Sequence, residues 1–248
     1  KFKLVSLQNI QSELEEKEME AWQNLVKILT HEIMNSIAPI SSLAGTIQGE
    51  MESKIDNVEQ ITPSEMEDYL MGISTIEKRS QGLISFVSDF RSLAHIPAPK
   101  FSSIAIAKLF HQLEVLLQNQ LDTYQIELIK EINPKELILF GDQTQIEQVM
   151  INLAQNAIQA VEDSEVKRII LRAFIDEAGK IILEVADTGK GIEEEALSKI
   201  FIPFFTTKSK GSGIGLSLSK QIMRRHKGNI QVRSIQGEGT TFKLIFNG

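Results

Sequence analysis

The 248-residue sequence contains no cysteine, which excludes disulfide bonds, thiol catalysis and zinc sites built on thiolates. Its four histidines lie far apart in the sequence, so a metal site built from several histidines is not expected. No apolar run approaches the ~18 residues that a membrane span needs, and no signal peptide opens the chain. We therefore expect a cytoplasmic segment, and any membrane anchor of the full-length protein would lie outside this chain.

Basic residues are outnumbered by acidic ones: the chain has 26 Lys and Arg and 33 Asp and Glu, which gives a formal net charge of -7. Binding to a nucleic-acid backbone requires a concentrated basic patch, whereas the basic residues here are scattered. We expect no nucleic-acid partner. A hydrophobic content of 42% and a charged content of 24% are typical of a soluble globular protein. The length suffices for one large or two modest domains.

The first part of the chain has the pattern of two long amphipathic helices. From Gln11 onwards, apolar residues recur at intervals of three and four over about 40 residues, which suits a helical bundle or coiled coil. A second stripe begins after Thr62–Glu65, where proline and glutamate suit a first helical turn, and ends before Ile96–Pro99. Two such helices cannot bury both stripes alone. We therefore expect a homodimer that contains a four-helix bundle.

Beyond residue 99, helical and β-rich stretches alternate. Helices are predicted at about 104–122 and 142–163, and strands at 137–140, 168–175, 180–186, 229–234 and 240–246. This pattern predicts a two-layer α/β sandwich with a mixed sheet, so the chain as a whole is of the α+β class. We predict a helical hairpin at 11–97 and the α/β domain at 98–248. Residues 1–10 fit either the last strand of an upstream sensor domain or a frayed terminus.

One histidine lies in the middle of the first predicted helix. His31 follows Leu29 by two residues, about 200° around a helix, so its imidazole is expected to point away from the apolar stripe. A lone histidine there would ordinarily be a solvated surface residue. The adjacent Glu32 favours a reactive one, because a carboxylate that accepts from one ring nitrogen raises the nucleophilicity of the other. Asn35 lies one turn further along on the same face.

His95 and His226 are expected at helix ends, where a positive charge is favourable.

Four short motifs follow in the second part of the chain, in the order Asn152–Ala157, Asp187–Gly191, Phe201–Phe205 and Gly211–Gly215. Together with His31, this ordered set resembles the transmitter core of two-component sensor histidine kinases, whose ATP-binding domain carries N, G1, F and G2 boxes. The sequence around His31 is most similar to the nitrogen-regulation type. The resemblance covers nearly the whole chain and implies the GHKL ATPase fold for the α/β domain.

The resemblance implies ATP and Mg²⁺ as cofactors. Asn156 would hold Mg²⁺ with the help of Asn152; the two residues are four apart, so they project from the same side of a helix, and amide oxygens suit this metal. Asp187 would accept a hydrogen bond from the exocyclic amine of adenine. Gly189 and Gly191 would let the backbone approach the base closely.

The phosphates would lie against the glycine-rich segment and the start of the helix that follows it, where backbone N–H groups are free. The residues implied there are Gly211, Gly213 and Gly215. Lys208 would add positive charge from the preceding segment, and Thr240 would lie near the adenine. Many relatives carry Lys or Arg three residues after the second asparagine. This chain has Gln159, so the phosphate charge must be met elsewhere.

The implied activity is phosphorylation of His31 by ATP, with Glu32 as the base. The phosphoryl group would then pass to an aspartate of a response regulator receiver domain, and Asn35 would align a water molecule for dephosphorylation of that regulator. Many relatives have proline directly after this asparagine, whereas this chain has Ser36, so the bend expected near Pro39 is weaker or displaced.

Two other functions remain open at this point. An ATPase of the same fold would use ATP to clamp a dimer, but such ATPases carry a water-activating glutamate where this chain has Asn152, and the His31–Glu32 pair is unexplained by that function. A catalytically inactive dimerisation scaffold would be expected to have lost the asparagines or the glycines, and both sets are retained.

Overall fold

The computed structural model describes residues 11–58, 60–208, 211 and 213–246, without the side chains of residues 11–26, 28, 31, 32, 89, 92 and 94. Residues 1–10, interpreted above as a strand end or a frayed terminus, lie outside this part of the chain. Two compact units are present, the first ending at Ser88 and the second beginning at Asp89. The domain limits of 11–97 and 98–248 stay predictions. Among the described residues, no helix combines the length and the apolarity that crossing a membrane requires.

The first unit is built on two helices, α1 (Gln11–Asp56) and α2 (Pro63–Ala94), the second of which runs on into the next unit. Helix α1 continues through Pro39. Helix α2 begins with reciprocal capping: the Thr62 hydroxyl accepts from the Glu65 N–H at 3.3 Å, and the Glu65 carboxylate accepts from the Thr62 N–H at 2.8 Å. The predicted start of this helix is therefore confirmed, and its end before Pro97 agrees with the missing N–H of proline.

The two helices approach each other closely at Gly72, where a Cβ atom would lie 2.8 Å from the Ile47 side chain. Lys54 and Glu65 form an ion pair across the same hairpin at 2.9 Å. A large apolar surface is nevertheless left exposed on both helices. It consists of Met34, Ile37, Met51, Ile55, Met66, Leu70, Met71, Ile73, Ile84 and Val87.

The second unit contains seven strands and, after the end of α2, four helices among the described residues. The strands are β1 (Ser102–Ala105), β2 (Glu127–Asn133), β3 (Ile138–Gly141), β4 (Arg168–Ile175), β5 (Ile181–Asp187), β6 (Asn229–Ile235) and β7 (Gly239–Phe246). The helices are α3 (Ile106–Tyr124), α4 (Gln143–Val161), α5 (Glu194–Leu197) and α6 (Gly215–Arg225).

The main sheet has five strands in the order β2-β4-β5-β7-β6, and β1 pairs with β3 in a separate antiparallel ribbon. Strands β2 and β4 are parallel and the other neighbours are antiparallel, so the sheet is mixed. Helices α3, α4 and α6 pack on one face, and fully buried side chains such as Leu153 and Leu171 lie between the layers. The predicted α+β class with an α/β sandwich is confirmed.

A row of alternating charges crosses the other face of the sheet. Glu131 on β2, Arg172 on β4, Glu184 on β5 and Lys243 on β7 occupy one register line. Arg172 lies 2.6 Å from the Glu131 carboxylate and 3.7 Å from that of Glu184, which also lies 2.6 Å from the Lys243 ammonium. Because strand side chains alternate in direction, the next residues along each strand point into the core.

Candidate functional site

A cavity of about 530 Å³ opens in the second unit beside α4, the end of β5 and the start of α6. We call it the central pocket. Nine of the ten residues predicted to bind the cofactor line it, namely Asn152, Asn156, Asp187, Gly191, Lys208, Gly211, Gly213, Gly215 and Thr240. The tenth, Gly189, is not part of the lining. It lies directly behind Asp187, and a Cβ there would be 2.5 Å from the Ala160 carbonyl oxygen of α4.

Asp187 ends β5 and pairs across the sheet with Thr240 of β7. Its carboxylate accepts the Gly189 N–H at 2.9 Å. Burial raises the pKa of Asp187 to about 6, against the opposing effect of the Gly189 and Thr240 N–H groups and the Lys208 charge. The result is a half-buried hydrogen-bond acceptor on the wall of the pocket. Thr240 is buried beside it, with its hydroxyl 2.9 Å from the Ser234 hydroxyl.

The apolar wall of the pocket was not predicted from the sequence. It is formed by Ile192, Ala196, Ile200, Phe205, Leu216 and Phe242. These side chains come from separate elements, so their meeting in space has no local sequence signal. Gly239 was also missed as a site residue: its φ is +126°, and a Cβ would lie 2.0 Å from the Asp187 carbonyl oxygen, so only glycine lets β7 begin here. Its position in the Gly237–Thr240 turn was the available signal.

The two asparagines of α4 make different contacts. The Asn152 amide donates to the Gly215 carbonyl oxygen at 3.2 Å and so ties α4 to the first residue of α6. The Asn156 amide oxygen accepts from the Lys208 ammonium at 2.7 Å. An oxygen that holds an ammonium is suitably directed for a metal cation, and amide oxygens are hard ligands. Asn156 thus fits Mg²⁺ directly.

Lys208 also donates to the Gln159 amide oxygen at 2.7 Å. Its side chain is half-buried. Burial and the neighbouring Lys190 lower the pKa of Lys208, and Asp187 partly opposes them. Gln159 was noted in the sequence only as a departure from the usual basic residue. In the structure, the Gln159 amide oxygen binds a lysine that belongs to another segment of the chain.

The glycine-rich segment folds back onto the residues before it. At Gly213 the φ is +68°, and a Cβ would lie 2.5 Å from the Phe204 carbonyl carbon. The Phe204 N–H donates to the Gly213 carbonyl oxygen at 3.0 Å. The start of α6 follows two residues later and faces the pocket through Gly215. Free N–H groups of a first helical turn suit phosphate.

The predicted reactive residues lie on α1, in the first unit. His31 and Glu32 belong to its described backbone, but their side chains lie outside the described part of the structure. Asn35 is exposed. The roles given to these three residues therefore stay predictions.

His226 differs from the expected charged residue at a helix end. It is buried, its Nε2 accepts the Asp142 N–H at 3.0 Å, and its Nδ1 lies 2.9 Å from the Ile222 carbonyl oxygen, to which it donates. Both ring nitrogens are satisfied when the ring is neutral. The predicted position at a helix end is confirmed, because His226 is the residue that caps the end of α6. The expected positive charge is wrong, because an Nε2 that accepts a backbone N–H carries no proton.

Known proteins with similar sequences identify the pocket. Residues 141–247 match the family described as histidine kinase-, DNA gyrase B-, and HSP90-like ATPase. The chain is 31% identical over 92% of its length to an NtrY-like sensor histidine kinase of Rickettsia prowazekii (strain Madrid E), and 30% identical over 88% to the histidine-protein kinase AtoS of Escherichia coli (strain K12). The solved catalytic domain of histidine kinase ThkA matches 59% of this chain and 95% of that domain, with 33% identity and a TM-score of 0.54.

The chain belongs to the sensor histidine kinase family. The resemblance inferred from the ordered motifs is confirmed, including its nitrogen-regulation type. The chain spans about a third of the curated relatives, 36% of the Rickettsia protein and 33% of AtoS. Nine of the ten residues that the resemblance implies for ATP binding therefore lie around one cavity, the central pocket.

Proposed function

We propose that this chain is the transmitter core of a kinase that moves the γ-phosphoryl group of ATP to His31. One observation carries the proposal: the central pocket places a half-buried acceptor, Asp187, and a half-buried cation, Lys208, around one cavity. An adenine nucleotide needs an acceptor at one end and positive charge at the other. The His31–Glu32 pair on α1 supplies an acceptor for the phosphoryl group.

The metal implied by the family fits the residues present. Asn156, assisted by Asn152, would hold Mg²⁺, which would neutralise phosphate charge. Lys208 and the start of α6 would hold the phosphates, and Asp187 would orient the base. These groups position the nucleotide rather than react with it.

In the transfer itself, a His31 ring nitrogen would attack the γ-phosphorus while the bond to the ADP oxygen breaks. Glu32 would accept the proton of the other ring nitrogen. Phosphoryl transfer has little covalent chemistry for the protein to perform, so catalysis depends on positioning and on charge stabilisation. The phosphoryl group would next pass to an aspartate of a response regulator.

A response regulator receiver domain is the proposed partner. ThkA has been solved in complex with the response regulator TrrA, and that kinase matches 97% of this chain with 25% identity and a TM-score of 0.62. Asn35, exposed one turn from His31, would align water for the regulator's dephosphorylation. The decay of a phosphorylated regulator in the presence of this chain tests that role, and an unchanged decay rate would remove it.

A homodimer is proposed from the apolar surface of the hairpin. A groove of about 380 Å³ runs between α1 and α2, lined by Ala44, Ile47, Met51, Ile55, Ile73 and Ile76 together with two polar residues. Isoleucine and methionine exposed in such number are unusual on a monomeric surface. A second copy of the hairpin would bury them in a four-helix bundle.

The test is incubation with γ-labelled ATP and Mg²⁺, followed by acid treatment, because phosphohistidine is acid-labile. We expect labelled wild-type protein, and we expect His31→Gln to lose the label while its affinity for ATP stays within about twofold, because the residue lies outside the pocket. Label retained in His31→Gln would refute the assignment. Free phosphate without labelled protein would indicate an ATPase, and neither product would indicate an inactive scaffold.

A further inference from the structure

The ammonium of Lys208 occupies a place that suits a metal cation. Its two hydrogen-bond partners are the neutral amide oxygens of Asn156 and Gln159, each at 2.7 Å. The two amides are three residues apart on α4, so they lie on the same face of the helix. A half-buried ammonium is thus held by amides alone in these contacts, with one donor left over.

Helix α4 forms the floor of this end of the pocket, yet its sequence from Gln143 to Val161 contains neither Lys nor Arg. The positive charge for a triphosphate must therefore come from other segments. Two lysines among the described residues line the pocket, Lys190 and Lys208: Lys190 reaches α4 through its backbone N–H, whereas Lys208 donates its ammonium to side chains of α4. The attachment of Lys208 depends on side-chain amides, which carry no charge of their own.

The two amides cannot keep the same partner once a metal nucleotide binds. A cation on the Asn156 oxygen would repel the ammonium of Lys208, so that contact must be given up. Gln159 lies one helical turn further along and can keep its hydrogen bond. Because a lysine side chain has many rotamers, a fixed hydrogen-bond partner determines the position of its charge.

We infer that Gln159 is a positioning residue for Lys208: with Asn156 it holds the ammonium in the cation site of the empty pocket, and it keeps that ammonium beside the phosphates when a metal nucleotide takes Asn156. The inference rests on the proposed function, since it assumes that the pocket binds Mg²⁺ and ATP. In this inference Gln159 takes the place of a basic residue on α4, because it keeps the charge of Lys208 beside the phosphates.

The first test compares affinities for a non-hydrolysable ATP analogue and for ADP, by calorimetry with the whole chain and excess Mg²⁺. The ratio of the two affinities reports contacts to the γ-phosphate. We expect Lys208→Met to lower this ratio by on the order of tenfold or more, as for a lost charged hydrogen bond, and Gln159→Ala by about threefold to tenfold. Gln148→Ala, on an exposed part of the same helix, is the matched control and should leave the ratio unchanged.

A rescue variant separates positioning from a general effect on stability. The double variant Gln159→Lys with Lys208→Met places an ammonium on α4 directly, and it should regain most of the ATP preference that Lys208→Met loses. A structural role for Gln159 alone predicts no such recovery. An unchanged ratio in Gln159→Ala, or no recovery in the double variant, would overturn the inference.

The second test needs no nucleotide. Hydrogen exchange of the peptide covering residues 201–208 should be faster in ligand-free Gln159→Ala than in the wild type, because Lys208 loses an anchor. The rate should be unchanged in Gln148→Ala. Equal exchange in Gln159→Ala and wild type would contradict the contact in the empty pocket. If the wild type binds neither nucleotide, the proposed function fails as well; if it binds both and only the Gln159 effects are missing, the inference alone fails.

Discussion

At the scale of single residues, the carboxyl group of Asp187 has opposite effects on binding and on stability. Burial raises its pKa from 3.8 to about 6, so folding favours the protonated form. This contribution to stability is fully present below about pH 3.8 and is lost as the pH rises through about 6. At neutral pH the ligand-free domain therefore carries a half-buried charge, to which a hydrogen-bond donor such as the proposed adenine amine can bind.

Replacing Asp187 with Asn should expose both effects. We expect the variant to gain roughly 1 to 3 kcal/mol in free energy of unfolding at pH 8, and about half of that gain at pH 5. Affinity for ADP should fall at least about tenfold, because an acceptor oxygen is partly replaced by a donor. Urea denaturation at both pH values and calorimetry measure the two effects. Asp122→Asn on the exposed end of α3 is the control, and a gain independent of pH would contradict the argument.

At the scale of elements, the start of α4 joins three segments of the chain. The Asp142 carboxylate accepts the Gln145 N–H of its own helix at 3.0 Å and the Lys100 N–H at 2.7 Å. The neutral ring of His226 accepts the N–H of Asp142 itself. Although burial raises the pKa of Asp142, the Lys100 and Gln145 N–H groups that donate to its carboxylate bring that pKa below its ordinary value. The helix that carries both asparagines is thus fixed at its first turn.

Asp142→Ala should destabilise the second unit by about 2 to 4 kcal/mol, because it removes a helix cap and leaves the buried Gln145 N–H and the part-buried Lys100 N–H without their acceptor. Circular dichroism during urea unfolding measures this loss. Asp122→Ala, which removes an exposed carboxylate from α3, should stay within about 0.5 kcal/mol of the wild type. A loss for Asp142→Ala no larger than for Asp122→Ala would show that the hydrogen bonds of Asp142 do not stabilise the second unit.

The elements also show what the sequence can and cannot predict. Strand β4 was predicted at its observed bounds, because its alternating apolar residues face a helix layer. Strand β2 was missed: it is an edge strand, none of its residues is fully buried, and Lys130 and Glu131 break the apolar pattern. At the site, motif order predicted the lining residues. The contact of Gln159 with Lys208 could not be predicted, because it joins segments 49 residues apart and depends on their distance in space.

At the scale of the whole molecule, the two units differ in how completely they bury their apolar side chains. The second has its own core, whereas the first leaves many large apolar side chains of α1 and α2 exposed. The hairpin of one copy therefore has the composition of half a bundle. This difference predicts that association and nucleotide binding can be separated by mutation.

Ile73→Glu should weaken the proposed homodimer by at least about 100-fold, because it places an unpaired charge in the apolar groove. Sedimentation velocity over a range of protein concentrations measures the change. Calorimetry should find ADP affinity unaltered, since the pocket lies in the other unit. Lys78→Glu, an exposed change of charge outside the groove, is the control. A dimer that persists in Ile73→Glu would argue against the groove as the interface.

The charge row across the sheet has a consequence for the assembly of the site. The partners of the buried Glu184 are partly exposed, so the ion pairs add little stability, but a slip of one residue in β5 would turn Glu184 toward the helix layer and Asp187 out of the pocket. It would also break the alternation of charge from Glu131 to Lys243. A misaligned sheet would therefore lose these ion pairs on one face and Asp187 from the pocket on the other, so the charge row favours the register that builds the pocket.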